Sequence, residues 1–273
     1  MAGRLTLALG KPFVVENRPG ADSNIATEQV VRAKPDGHTL LLETIANATN
    51  MSVYKSPGYD TVRDLSPIVM VMTSPSVLVV TPSLPVKDLR SLIGLAKAQP
   101  GRLSFASSGT GGSTHLAGEL LNLRAGLDIV HIPCGGAAPA MADVIAGHVS
   151  TGFMASLGAL SSMQSGQLRP IAVAHWRRLA DLPDVPTMAE AGMADFEVSS
   201  WNGLAARAGT PQAIVDKLNA EVNKILVMPE VQRQLQGLGA QVVGGTSRHF
   251  ADHVQAQIQK WRDVAQATRI TLD

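Results

Sequence analysis

A single cysteine, Cys134, leaves this chain without an internal disulfide and short of the thiols that a structural zinc site needs. Aromatic residues make up only 4% and charged residues only 16%. Lys and Arg number 23 against 22 Asp and Glu, a formal net charge of +1. No global field therefore draws the chain to nucleic acid or to an anionic membrane surface. No apolar run approaches the ~20 residues of a membrane span. Collagen, coiled-coil, disulfide-scaffold and disordered compositions are excluded as well. What is present is 273 residues, 45% of them apolar, with 25 glycines. That length is long for one domain, suits two modest ones, and can bury a sizeable core.

Along the chain, Met1 to Leu9 reads as a helix end stopped by Gly10, and Phe13 to Val15 as a short strand. Ser23 or Asn24 caps a helix carrying Ile25, Val30 and Val31, and Pro35-Asp36-Gly37 is a turn. Thr39 to Leu42 reads as a strand buried on both faces of a parallel sheet. Strands at Val77–Val80, Leu103–Ala106, Ile129–Ile132, Val149–Met154 and Leu168–Ala174 alternate with helical patterns. The alternation predicts an α/β fold, mainly parallel. Thr210-Pro211 opens an amphipathic helix with Val215, Leu218, Val222 and Ile225 on one face. A last helix starts near Ser247, and its stripe places Trp261 in the core.

The stretch Ser107-Ser108-Gly109-Thr110-Gly111-Gly112-Ser113-Thr114-His115 follows a strand and opens a helix. Its glycines let a ligand approach the backbone, and free N–H groups with neighbouring hydroxyls suit a carboxylate or phosphate. The same residues would also make a tight turn and helix cap with no ligand. A phosphate-binding P-loop would need a lysine after Gly112, where Ser113 stands, and a dinucleotide fingerprint would need a glycine at Thr114. His115 and Glu119 share a helix face without the second histidine of a zinc protease. A hydrolase reading would use Ser113 with His115, but neighbours on one helix turn point in different directions. A second strand-to-helix turn, Cys134-Gly135-Gly136-Ala137-Ala138-Pro139, lies at the same sheet edge, where α/β proteins bind ligands. No acid/base pair, metal set or cofactor motif accompanies the two turns, which favours binding without turnover.

Six segments occur in one order: Val14 to Gly20 (VVENRPG), Pro35 to Leu42 (PDGHTLLL), Ser107 to Leu120 (SSGTGGSTHLAGEL), His131 to Ala140 (HIPCGGAAPA), Leu182 to Gly192 (LPDVPTMAEAG) and Ala208 to Asn219 (AGTPQAIVDKLN). With these the chain closely resembles the extracytoplasmic solute receptors of tripartite tricarboxylate transporters, the Bug family, over nearly its whole length. The resemblance implies a two-lobed periplasmic-binding-protein fold, type II-like, with mainly parallel sheets flanked by helices. It implies one lobe of residues 1–83 plus 199–273 and a second of 84–198, closing on a small carboxylate that is passed to membrane permease subunits. Nucleic acid and cofactors have no part in that expectation. The implied ligand contacts are Ser107, Ser108, Gly109, Gly111, Gly112, Ser113 and Thr114 for one carboxylate. Gly135, Gly136, Ala137, Met154 and the strand-end segment Thr44, Ile45, Ala46 would line the rest.

Three departures from the family pattern bear on this. An export signal, a first strand and a Gly-rich ligand loop are expected upstream of the segment with which Met1 begins; that strand would lie between those matching Phe13–Val15 and Thr39–Leu42. Cys134-Gly135 stands where an aromatic and a basic residue are common. Met154 stands where many members carry an aspartate able to meet an ammonium, which points to a plain mono- or dicarboxylate over an amino acid.

Overall fold

Residues Leu65–Val80 are rich in Val, Met and Leu, and they form one 16-residue strand that two sheets share. In the computed structural model, which describes residues 1–268 and 270, the strands are β1 Leu40–Thr44, β2 Leu65–Val80, β3 Ser104–Ser107, β4 Val130–Pro133, β5 Thr151–Ala155, β6 Arg169–Val173, β7 Ser199–Arg207 and β8 Gln241–Val242. The helices are α1 Ala2–Leu9, α2 Asn24–Val31, α3 Ile45–Val53, α4 Thr61–Asp64, α5 Leu89–Ala98, α6 Ser113–Ala125, α7 Ala137–Ile145, α8 Ser156–Gln164, α9 Gln212–Leu226, α10 Pro229–Gln236 and α11 Ser247–Thr268. A 3₁₀ turn at Ala21–Ser23 precedes α2.

In the first sheet β7 is central, antiparallel to β1 on one side and to Leu65–Pro75 of β2 on the other. β8 pairs with Met72 and Thr73. In the second sheet Ser76–Val80 of β2 runs antiparallel to β5, and Val77–Val80 antiparallel to β6; β5, β3 and β4 are mutually parallel. The chain therefore passes from one sheet to the other at Pro75, which faces Ser199, and Ser76, which faces Ala155. Two register shifts, between Pro67 and Val69 and between Met70 and Met72, let β2 bend and accommodate its prolines.

The α/β layering is as expected, but the first sheet is antiparallel and the second mixed, rather than both mainly parallel. Apolar alternation marks a strand; it does not record the direction of its neighbour. Thr39–Leu42 is also corrected: the strand starts at Leu40 and buries one face. Leu41 and Glu43 are inside, while Leu42 is 56% exposed. Among the described residues β1 pairs with β7 alone. Phe13–Val15 forms no strand. Val14 and Val15 are exposed, and the Phe13 amide donates to Thr6 Oγ1 at 2.9 Å. Its β-forming residues have no neighbouring strand to bond to, and that tertiary term outweighs propensity. Met1 to Leu9 is helical as expected, with Gly10 in a left-handed conformation at its end and Leu5 packed near α9.

The core places Trp201 edge-on to Phe250, with Trp261 fully buried beside them in α11. A side chain at Gly203 of β7 would begin 2.2 Å from the Phe250 ring, so only glycine lets α11 sit this close to the sheet.

Candidate functional site

β3 ends at the buried Ser107, and α6 begins at Ser113 with Gly112 as its cap. The link turns through Gly109 (φ +149°) and Gly111 (φ +83°), conformations that a side chain would strain. α6 lies tight on β3 because Gly118 faces the Phe105 ring, which a Cβ would meet at 2.2 Å. This close contact fixes the start of α6 over the sheet edge.

Part of the loop's hydrogen bonding is internal. Thr114 Oγ1 accepts from the Ser108 amide at 2.9 Å and pairs with Ser108 Oγ at 3.1 Å. Ser107 Oγ accepts the Gly109 amide at 3.2 Å and bonds His131 Nε2 at 2.7 Å. His115 Nδ1 accepts the Gly111 amide at 2.9 Å. The amides of Gly112, Ser113 and Thr114 and the Ser113 hydroxyl meet no protein acceptor among the described residues. These three amides are orphan donors of a helix start, aligned with the positive end of its dipole. The free donors are thus in the last part of the expected loop, while Ser107, Ser108, Gly111 and Thr114 take part in its internal hydrogen bonds.

A cavity of about 140 Å³ lies at this helix start, lined by Ser113 and Thr114 but not by Gly112. Of the expected residues, Ser107, Ser108, Ser113, Thr114, Ala137 and Met154 line it together. Gly135 and Gly136 sit at the adjoining start of α7, Gly136 as its cap with φ +138°. Thr44, Ile45 and Ala46 do not line it. Thr44 caps α3, its Oγ1 accepting the Ala46 amide at 3.3 Å and its own amide donating to Asn47 Oδ1, and Ile45 and Ala46 are buried. A larger cavity of about 630 Å³ lies between Leu179–Asp181 and the α9–β8 region, and none of the expected residues lines it.

Sequence reasoning missed five lining positions: Ala140, Phe153 and Ala155 close to expected residues, and Ser76 and Ser200 from distant segments. Ser76 lies where β2 changes sheets, Ser200 is the second residue of β7, and Ala155 ends β5. Asp22 stands near the loop, its Oδ2 3.8 Å from a Cβ placed on Gly112, but does not line the cavity. Loss of water around that carboxyl raises its pKa.

The hydrolase arrangement does not form. His115 spends Nδ1 on the Gly111 amide, turns Nε2 toward Glu119 at 3.8 Å, and stacks its ring on His131. It makes no hydrogen bond to Ser113.

The family described as the tripartite tricarboxylate transporter family receptor matches residues 1–270. The chain belongs to this family. Protein BugT of Bordetella pertussis is 36% identical over 98% of this chain and 83% of its own length. Rpa4515 of R. palustris, solved with adipate, superposes with a TM-score of 0.93 at 34% identity, covering 99% of this chain and 91% of that one. MatC of Rhodopseudomonas palustris, solved with bound malate, gives 0.88 at 30% identity, covering 96% and 91%. Members of this receptor family are periplasmic solute-binding proteins, not enzymes, and the two-sheet α/β fold described above is theirs.

Proposed function

We propose that this receptor captures a small organic carboxylate between two lobes, residues 1–83 with 199–273 and residues 84–198, and presents it in the periplasm to the permease subunits of a tripartite tricarboxylate transporter. The observation that carries the reading is the cavity at the start of α6. Ser113 and Thr114, whose amides are unpaired, line it at the helix start, and Ser76, Met154 and Ser200 line it from β2, β5 and β7. Such a cradle favours an anion through the helix dipole and direct donors together. The adipate and malate held by Rpa4515 and MatC support a carboxylate over other anions.

Thermal unfolding in the presence of acetate, hexanoate, benzoate, adipate, malate and a neutral sugar tests it. A ligand at a hundredfold excess over its dissociation constant adds about 2.7 kcal/mol to stability. At least one carboxylate is expected to raise the melting temperature and the sugar to leave it unchanged. Stabilisation by the sugar with none by any carboxylate overturns the proposal.

A further inference from the structure

We propose that Ser74, Ser156 and the Gly239 carbonyl form a buried latch between the two lobes, and that this latch holds the ligand cavity in its closed shape. Ser156 is then a positioning residue for binding, one that touches no ligand. The inference rests on the two-lobed receptor reading above and adds to it the contact that sets closure.

Where β2 changes sheets, Ser74 faces Ser200 of β7 and Ser76 faces Ala155 of β5. Ser76, Ser200 and Ala155 all line the cavity at the start of α6. Their neighbours Ser74 and Ser156 are buried, 1% and 0% exposed.

Three hydrogen bonds run through these two hydroxyls. The Leu157 amide donates to Ser74 Oγ at 2.8 Å, the two Oγ atoms lie 3.0 Å apart, and Ser156 Oγ donates to the Gly239 carbonyl at 2.6 Å. A hydroxyl has one proton to give. Ser156 gives its proton to Gly239, so the proton between the serines comes from Ser74. The bonds thus run in one direction, from the Leu157 amide to the Gly239 carbonyl, and each polarises the next. Both hydroxyls are out of water, so breaking any one bond leaves a buried polar group unpaired.

The backbone is shaped to this contact. Leu157 (ψ 109°) and Gly158 (φ +93°) leave helical geometry at the start of α8, where the Leu157 amide bonds Ser74. Gly239 has φ +81°, and a Cβ on it would stand 2.9 Å from the Ser156 carbonyl oxygen. Only glycine brings the two backbones this close.

Ser74 and Gly239 belong to the lobe of residues 1–83 and 199–273, Ser156 and Leu157 to the lobe of 84–198. Rotation of the lobes about Pro75 and Ser76 changes the separation of Ser156 from Gly239. It changes the cavity as well, because Ser200 lines it from one lobe and Ser113, Thr114 and Ala155 from the other. Both are formed in the same arrangement, so the latch stabilises the arrangement that encloses the cavity. A receptor whose binding-competent form is partly populated loses affinity in proportion to that fraction. The latch raises the fraction without contacting ligand, so it acts equally on every ligand of the cavity.

The test combines small-angle X-ray scattering of the ligand-free protein with calorimetric titration by adipate, malate and hexanoate. It compares the full chain with Ser156→Ala, Ser74→Ala and the double variant. Ser156→Ala is expected to raise the ligand-free radius of gyration. It is also expected to weaken every acid that the parent binds by one common factor, up to about tenfold. Ser74→Ala is expected to do the same, and the double variant to be no weaker than either single one, since all three break one relay. An unchanged radius, or unchanged affinities, overturns the latch. A smaller radius or tighter binding overturns it too, by making the contact a spacer that holds the lobes apart. Losses that differ among the acids would put Ser156 in contact with ligand and overturn its positioning role. Additive losses in the double variant overturn the relay between the serines. If the parent binds none of the acids, the carboxylate reading fails and the scattering comparison alone decides the latch.

Discussion

The imidazole of His115 lies flat on that of His131, ring centroids 3.7 Å apart, while its Nδ1 receives the Gly111 amide at 2.9 Å. An acceptor Nδ1 requires the neutral ring. Burial, with a smaller contribution from His131, lowers the His115 pKa to about 4, and burial lowers His131 as well. The stack is therefore a neutral pair that fixes the loop ahead of α6.

Replacing His115 by Phe keeps a ring on His131 but removes the acceptor for Gly111. The loss of one buried hydrogen bond, about 1–3 kcal/mol, is expected to appear as weaker carboxylate affinity, measured by calorimetry at pH 7.5. The unfolded state binds more protons than the folded one between pH 6.5 and about 4, so this histidine also makes stability fall as pH drops through that window. His115→Phe is expected to flatten that acid limb in urea melts at pH 4.5 and 6.5. An unchanged limb would assign it to other groups, such as His253, which burial also lowers to about 4.

Glu43 gives the opposite slope. Its side chain is wholly buried in β1, neither carboxyl oxygen has a hydrogen-bond partner among the described residues, and burial raises its pKa to about 8. The folded state holds a proton that the unfolded state has released between pH 4.5 and about 8, so stability declines as pH rises across that range. The slope is at most about 1.4 kcal/mol per pH unit. Glu43→Gln is expected to be stabilising at pH 8 and close to neutral at pH 5, read from urea midpoints of both chains. An equal effect at the two pH values would mean that the carboxyl is solvated or paired.

Ser113→Ala removes a hydroxyl and leaves the three amides in place. Affinity for a bound carboxylate is expected to fall by about 1.5–3 kcal/mol with the melting temperature of the free protein unchanged. Full affinity in the mutant would make the hydroxyl a bystander at the helix start.

Gly118→Ala tests the packing that seats α6. The new methyl would begin 2.2 Å from the Phe105 ring, and Phe105 is itself buried. Overpacking of this kind costs about 1–3 kcal/mol. Denaturant midpoints are expected to fall accordingly, and a change within error would show that Phe105 moves aside freely.

Much of this architecture was legible from short-range pattern. Val215, Leu218, Val222 and Ile225 lie at helical spacing and are all buried, and Trp261 is core as its stripe requires. The loop from Ser107 to Thr114 was visible because a strand, glycines and a helix start fall in one continuous segment. The first part of β2 was not, since Pro67 and Pro75 break its pattern and are absorbed by bulges and by the change of sheet. Phe13–Val15 has strand chemistry without a strand, because pairing partners are not encoded locally. Ser76 and Ser200 reach the site from separate segments, and nothing in their own neighbourhoods distinguishes them from other small residues. Which donors of the loop remain free was also hidden, because Thr114, Ser107 and His115 satisfy the others through side chains whose directions only the fold sets.

The sharing of β2 has a consequence for the order of folding. Leu40 pairs with Ala206 and Leu65 with Arg207, whereas Val77 to Val80 find their partners no later than Val173. Closing the first sheet therefore demands longer loops than closing the second, and contacts of that range form slowly. The second sheet has the shorter search and can consolidate while β1 waits for β7. A nascent chain would carry Leu41 and Glu43 unprotected until Arg207 has been made, which places its window of vulnerability to misassembly late in synthesis.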